Sequence, residues 1–153
     1  MNVDDIIIAR EKMKGIVHTT PLDYSKTFSK LAHNEVYLKL ENLQKTGSFK
    51  ARGSYNKLIS LSQEELQKGV VAASAGNHAQ GVAYSSQMLG VNCTIVMPKG
   101  APLSKVLATK QYGAEVLLEG ATFDDALAYA LELKEQRDAT FIHAFDDEAV
   151  ITG

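Results

Sequence analysis

Val70-Val71-Ala72-Ala73-Ser74-Ala75-Gly76-Asn77-His78-Ala79-Gln80-Gly81 contains three pieces of local structure in succession. Four apolar residues form a run too continuous for a strand with one wet face. A loop of small residues follows, and Ala79, Val82, Ala83, Ser86 and Leu89 then recur at helical spacing. A buried strand that passes directly into a helix is the repeating unit of a parallel α/β sheet. The pattern continues downstream. Cys93 to Met97, Val116 to Leu118 and Thr140 to His143 are further short apolar runs. Between them lie helical stripes, one on Val106 and Leu107 with Tyr112, another on Phe123, Ala126, Leu127, Ala130 and Leu131. Gly90, Gly113 and Gly120 punctuate these segments. Thr122 with Asp124 and Asp125 starts the last helix, and Lys134 and Arg137 end it, each matching the helix dipole. Strand and helix alternate at a pitch of about 20 to 25 residues, which predicts a parallel sheet covered by helices on both faces. The expected unit is four-stranded and runs from Val70 to about Ala149.

Upstream the pattern is less regular. Val3 to Lys14 reads as a short helix ended by Gly15, and Thr20-Pro21-Leu22 resets the chain because the residue before proline is pushed out of the helical region. Ser25 to Ala32 reads as a second helix. Glu35 to Glu41, with Val36, Leu38 and Leu40 alternating against polar neighbours, reads as a strand. Ser62-Gln63-Glu64-Glu65 is a capping box, opening a brief helix that Gly69 stops. Residues 1 to 71 are expected to expose apolar surface, because Val36, Leu38 and Leu40 have no evident sheet partners.

Composition limits the partners. The chain has 153 residues, 45% of them hydrophobic and 22% charged, with a net charge of -2. That balance gives no broad attraction for nucleic acid or anionic lipid, so neither nucleic acid nor membrane is expected as a partner. The apolar run Ile6 to Ile8 is broken by Asp4, Asp5 and Arg10, unlike a signal peptide or a membrane span, and a cytoplasmic protein is expected. Cys93, the single cysteine, lies in an apolar run and reads as a buried, inert thiol. His18, His33, His78 and His143 have no metal-ligand spacing, so no metal is expected.

Two stretches could carry chemistry. In open parallel sheets, ligands bind beyond the carboxyl ends of the strands, where loops lead into helix N-termini. Ser74 to His78 occupies such a place. Gly76 lets a ligand approach the backbone, and the amides of Gly76, Asn77 and His78 would offer donors to a carboxylate or phosphate. An isolated loop of this kind reads equally well as a turn that needs small residues. The second stretch is Thr46-Gly47-Ser48-Phe49-Lys50-Ala51-Arg52-Gly53: a glycine turn, a serine that can cap, and a helix with Lys50 in its first turn. The positive end of the dipole opposes a cation there, which favours the free amine, the form that attacks a carbonyl to make a Schiff base. The alternative is an ordinary surface lysine. No P-loop occurs, since Val82 and Ala83 follow Gly81 where lysine and serine or threonine are required, and no GxGxxG occurs. A Schiff-base lysine beside a carboxylate grip suits an amino-acid substrate.

Ser48-Phe49-Lys50-Ala51-Arg52-Gly53 and Ser74-Ala75-Gly76-Asn77-His78-Ala79-Gln80-Gly81, with Thr20-Pro21-Leu22 upstream and Val96-Met97-Pro98 downstream, resemble the threonine dehydratase (threonine ammonia-lyase) family. These are pyridoxal-phosphate enzymes of the tryptophan-synthase-β fold type, fold type II, and the resemblance spans essentially the whole chain. It implies a complete small α/β domain over about residues 72 to 149. Residues 1 to 71 would be the opening part of a larger cofactor-binding domain, to which 150 to 153 begin the return. Lys50 would bond pyridoxal phosphate and later remove the substrate's α-proton. Phe49 would lie against the cofactor ring, and Asn77 would bond its 3-oxygen. Ser74, Ala75, Gly76, Asn77 and His78 would hold the substrate carboxylate. The implied reaction is β-elimination of L-threonine or L-serine to a 2-oxo acid and ammonia, in a homo-oligomer.

Serine racemases resemble the same motifs but carry serine where this chain has Ala75. Alanine has no proton to give, so elimination is expected over racemisation. Members of the family continue well past the position of Gly153, into a glycine-rich loop that grips the cofactor phosphate. The chain is therefore expected to be an N-terminal portion with little activity alone. A non-catalytic binding or dimerisation module is the alternative of another class.

Overall fold

A computed structural model describes all 153 residues. Its centre is a four-stranded parallel sheet of β3 (Val70–Ala73), β4 (Cys93–Met97), β5 (Glu115–Leu118) and β6 (Thr140–Phe141), in the spatial order β5-β4-β3-β6. The strands β3 and β4 are buried throughout, which is why their sequences show no alternation. Three helices cover them. Ala79, Val82 and Ala83 of α5 (Asn77–Leu89) and Val106 of α6 (Leu103–Gln111) pack on the face presented by Val70, Ala72, Ile95 and Met97. On the opposite face Ala126, Ala130 and Leu133 of α7 (Phe123–Arg137) pack on Val71, Ala73 and Val96. The expected two-sided cover is present.

The outer strands differ from expectation. β5 is an edge, with Glu115 and Leu118 exposed, and β6 has only two residues, because beyond Ile142 the chain turns away from the sheet. Thr122 and Asp125 form the anticipated capping box of α7. The stripe on that helix is rotated, however: Leu133 is buried while Phe123 and Leu131 are exposed.

Before the sheet, α1 (Val3–Lys12), α2 (Lys26–Ala32) and α4 (Gln63–Lys68) lie near their expected positions. Asn2, Ser25 and Ser62 cap them through side-chain oxygens. The strand expected over Glu35 to Glu41 forms only at Tyr37–Lys39 (β2), and it does have a partner. Leu22–Tyr24 (β1) pairs with it antiparallel, Asp23 opposite Leu38. Three residues after a proline are too few to show a period of two, so this partner is invisible in the sequence. The expected apolar exposure is there all the same, at Leu22, Tyr24, Tyr37, Phe28 and Leu31.

One helix from this early part is embedded in the later one. α3 (Lys50–Leu58) packs between α5 and α8 (Glu148–Thr152), and Leu58 and Val150 join the core of the sheet's first face. Glycines permit this close approach. A Cβ on Gly81 would stand 2.8 Å from the carbonyl oxygen of Lys50, and one on Gly53 would overlap the carbonyl oxygen of Val150. The backbone at Lys50 is thus seated against α5.

Candidate functional site at the sheet switch point

From β3 the chain crosses to β4 and β5 on one side, then returns to place β6 on the other. The crevice at the carboxyl ends of β3 and β6 is therefore the switch point, where ligands of open α/β sheets bind. Two loops meet there, Ser74 to Gly76 after β3 and Ile142 to Asp146 after β6.

Lys50 reaches this crevice from α3. Gly47, at φ 71°, makes the turn before it. The helix starts later than the capping serine suggests: Phe49 is its cap residue, and Ser48 Oγ accepts from the Lys50 amide at 3.3 Å. The Lys50 ammonium donates to the carbonyl of Ala144 at 2.6 Å and lies 5.3 Å from the centre of the Phe49 ring. It makes no ion pair, so a neutral carbonyl is its partner. Phe49 is 59% exposed, leaving ring surface free. A cavity of about 370 Å³ opens here, lined by Phe49, Lys50, Gly53, Ala144, Phe145 and Val150.

The second expected set divides. Asn77, the first residue of α5, is exposed, and Ser74, Ala75 and Gly76 are half-buried. The Gly76 amide donates to Ser74 Oγ at 3.1 Å, which takes up one of the donors expected to serve an anion. By helix geometry the amides of Asn77 and His78 have no acceptor within α5. Ala75 packs its methyl against the core. None of these five residues lines the 370 Å³ cavity that contains Lys50 and Phe49.

His78 turns inward. The residue is 4% exposed, and Nε2 lies 2.9 Å from the carbonyl of Ile142, which can only accept; Nε2 therefore carries the proton. Nδ1 is buried without a partner. Burial, chiefly, pushes the imidazole down to about 4, with the Ile142 bond opposing and the charges of Lys50 and His143 assisting. The ring is neutral at pH 7 and joins the two loops, since Ile142 is two residues from Ala144. A buried neutral histidine makes the fold acid-sensitive. Above pH 6.5 it costs nothing; as pH falls from about 6.5 to about 4 the unfolded chain protonates first, and up to about 3 kcal/mol of stability is lost. Urea midpoints measured across that range should fall, and His78→Gln, which keeps an N–H donor, should flatten the fall.

Several site residues were not evident from sequence. Ala144 acts through its carbonyl, which no side-chain pattern reports. Phe145 is 71% exposed and stacks edge-on to His143 at 4.8 Å, part of an alternating Phe141, His143, Phe145 series. Glu41 takes two bonds of 2.8 Å from Arg52, and this guanidinium holds its carboxyl down at about 2, tying α3 to the segment after β2. Lys105, in the first turn of α6, donates to Asn77 Oδ1 at 3.1 Å. The sequence does signal Lys105, through the same misfit of a cation at a helix start that distinguishes Lys50. Cys93 is buried as expected, and burial raises its thiol to about 12.

A lysine with no ion pair, an exposed aromatic face and an exposed carboxamide near the sheet switch point suit a cofactor site, and the family model points to the same class of protein. The family model described as "Pyridoxal-phosphate dependent enzyme" matches residues 13–153, and the chain belongs to that family. The relatives are more particular. The chain is 54% identical over 153 residues to an L-threonine ammonia-lyase of Thermotoga maritima, and 51% identical over 151 residues to a catabolic L-threonine dehydratase of Escherichia coli K12. It spans 38% and 46% of those two proteins' lengths. Among solved structures, maize serine racemase superposes with a TM-score of 0.92 at 32% identity, over 99% of this chain and 46% of that one. A threonine deaminase isoform of Solanum lycopersicum superposes at 0.86 with 40% identity, over 100% of this chain and 44% of that one. The fold is that of fold type II pyridoxal-phosphate enzymes, of which this chain presents under half.

Pyridoxal phosphate requires an amine for its aldehyde, a flat apolar surface for its ring and a donor for its ring oxygen. Lys50, Phe49 and Asn77 are residue types that could meet these three needs: Lys50 Nζ has only a carbonyl to leave, Phe49 is exposed, and Asn77 is exposed outside the cavity the other two line.

Proposed function

We propose that the protein deaminates L-threonine or L-serine by pyridoxal-phosphate-dependent β-elimination, giving a 2-oxo acid and ammonia. The observation that carries this reading is the Lys50 amine, held at the switch point on the Ala144 carbonyl, in a chain whose curated relatives along its length include L-threonine ammonia-lyases and dehydratases.

Pyridoxal phosphate, when bound, supplies an electron sink for the charge left at the substrate's α-carbon. The chain's residues supply the rest. Lys50 would hold the cofactor through its Nζ and is placed to serve as the base for the α-proton; in the structure that nitrogen rests on the Ala144 carbonyl. Phe49 would offer its exposed ring to one face of the cofactor. Asn77 would donate to the ring oxygen. The Ser74 to His78 loop orients the carboxylate through its amides, with His78 as a neutral brace behind it. Fixing the carboxylate aims the α-C–H bond at Lys50, and this positioning is the protein's main kinetic contribution. The β-hydroxyl leaves as water, and a later hydrolysis returns that water and releases ammonia.

Racemisation is the second reading, favoured by the superposition on maize serine racemase. Ala75 argues against it, because its methyl faces the core and carries no exchangeable proton. The division into residues 1 to 71 as part of a larger domain and 72 to 149 as a small one belongs to the same proposal. So do a cytoplasmic location and homo-oligomeric assembly; no helix is long and apolar enough to cross a membrane.

The test is chemical. The protein is incubated with pyridoxal phosphate, reduced with borohydride and mapped by peptide mass spectrometry. Label on Lys50 is expected, and label confined to other lysines overturns the assignment. Formation of D-serine from L-serine without ammonia would transfer the reading to racemisation.

A further inference from the structure

We propose that Lys105 is a positioning residue for Asn77: its ammonium captures Asn77 Oδ1, so that the carboxamide presents only its N–H₂ group to the crevice and selects an anionic ring oxygen. The inference rests on the cofactor reading above and adds to it the residue that sets the polarity of the Asn77 contact.

Lys105 and Asn77 are 28 residues apart in the chain and sit in the first turns of α6 and α5, neighbouring helices on one face of the sheet. Neither first turn contains an acidic residue, and Lys105 makes no ion pair. Two positive helix ends and a half-buried cation therefore converge with no negative charge between them. The one side-chain acceptor that Lys105 meets is Asn77 Oδ1, at 3.1 Å.

Chemistry makes this contact directional. An ammonium has three donors and no acceptor, whereas a carboxamide offers an oxygen on one side and two N–H donors on the other. An unrestrained asparagine could turn either end towards a ligand. With Lys105 on its oxygen, Asn77 has only donors left for the crevice. The adjacent cation also withdraws electron density through the amide and adds a positive field, and both favour a deprotonated oxygen over a hydroxyl.

The test compares two ligands, pyridoxal 5′-phosphate and its 3-deoxy analogue, which lacks the ring oxygen. Dissociation constants are measured by absorbance for the unmodified protein, Lys105→Met, Lys105→Arg and Asn77→Ala, and for the Met and Ala changes combined. The unmodified protein is expected to prefer pyridoxal phosphate about tenfold, as one charge-assisted hydrogen bond would give. Lys105→Met should bring that ratio close to one, Lys105→Arg should keep most of it, and Lys105→Met should change nothing further once Asn77 is alanine. A purely structural lysine would weaken both ligands equally and leave the ratio intact. An unchanged ratio in Lys105→Met overturns the proposal, as does a Lys105 effect that persists in full without Asn77. Should Lys105→Met not fold by circular dichroism, Lys105→Gln serves instead, because its amide no longer forces the orientation of Asn77 and the ratio should again fall. Borohydride labelling of Lys50 in the unmodified protein separates the two failures: without it the cofactor reading itself falls, and with it only the role of Lys105 is at stake.

Discussion

Lys50→Ala is expected to lower whatever threonine deamination the protein shows by about 10²–10⁴-fold or more, since on the proposed reading Lys50 is both the cofactor's covalent attachment and the base for the α-proton. The fold should survive. Lys50 is half-buried, its side chain makes one hydrogen bond, to Ala144, and alanine is a better helix former at the first turn of α3. The melting temperature of the variant is therefore expected within a few degrees of the parent's, which separates a chemical loss from a structural one. Small primary amines added to the solution should restore part of the rate by standing in for the missing Nζ. Full activity in the variant would remove Lys50 from the mechanism.

Gly53→Ala and Gly81→Ala should have the opposite profile, a large structural effect that removes no candidate reacting group. A methyl on Gly81 meets the Lys50 carbonyl at 2.8 Å, and one on Gly53 meets the Val150 carbonyl; backbone atoms cannot rotate aside as side-chain ends do. Replacing glycine by alanine within a helix ordinarily gains up to ~1 kcal/mol, but forcing two helices apart costs about 1–3 kcal/mol and occasionally more. The cost wins. Each change is expected to lower the melting temperature by several degrees, about 2–4 °C per kcal/mol for a chain of this size. Because α3 carries Lys50, Gly81→Ala should also reduce Lys50 labelling at temperatures where the protein is still folded. A Gly81→Ala protein as stable as the parent and labelled as readily would show that the α3–α5 approach is looser than the structure has it.

The sequence reveals the parts of this molecule that are fixed by burial. Residues Val70–Ala73 and Cys93–Met97 are legible end to end, because strands covered on both faces admit only apolar residues and their ends coincide with the ends of the run. Capping boxes at Ser62 and Thr122 are legible for a similar reason, since one local interaction specifies both residues. Edges are less so. Thr140 to His143 looks like one more buried run, yet only two residues pair, and His143 instead receives the amides of Phe145 and Asp146 on its Nδ1. The candidate site is legible in its residue types and not in their directions. That His78 faces inward is decided by a carbonyl 64 residues later in the chain, and the resting partner of Lys50 is 94 residues away. No local pattern encodes either. Lys105 is the intermediate case, anomalous by position but without meaning until its neighbour across the helix pair is known.

The bond between Lys50 and Ala144 also bears on the order of events in folding. Contacts this distant in sequence require a large loop to close, at an entropic cost that nearby contacts do not incur, so this one is expected to form after them. The α5–β4–α6–β5 segment can gather its short-range contacts first, while the lysine, synthesised well before its partner, remains free in solution. On a ribosome Lys50 would stay untethered until the chain had grown beyond Ala144, so its contact would follow the short-range contacts of residues 70 to 118. Pulse-labelling of amines during refolding should find Lys50 accessible after the sheet has already become protected.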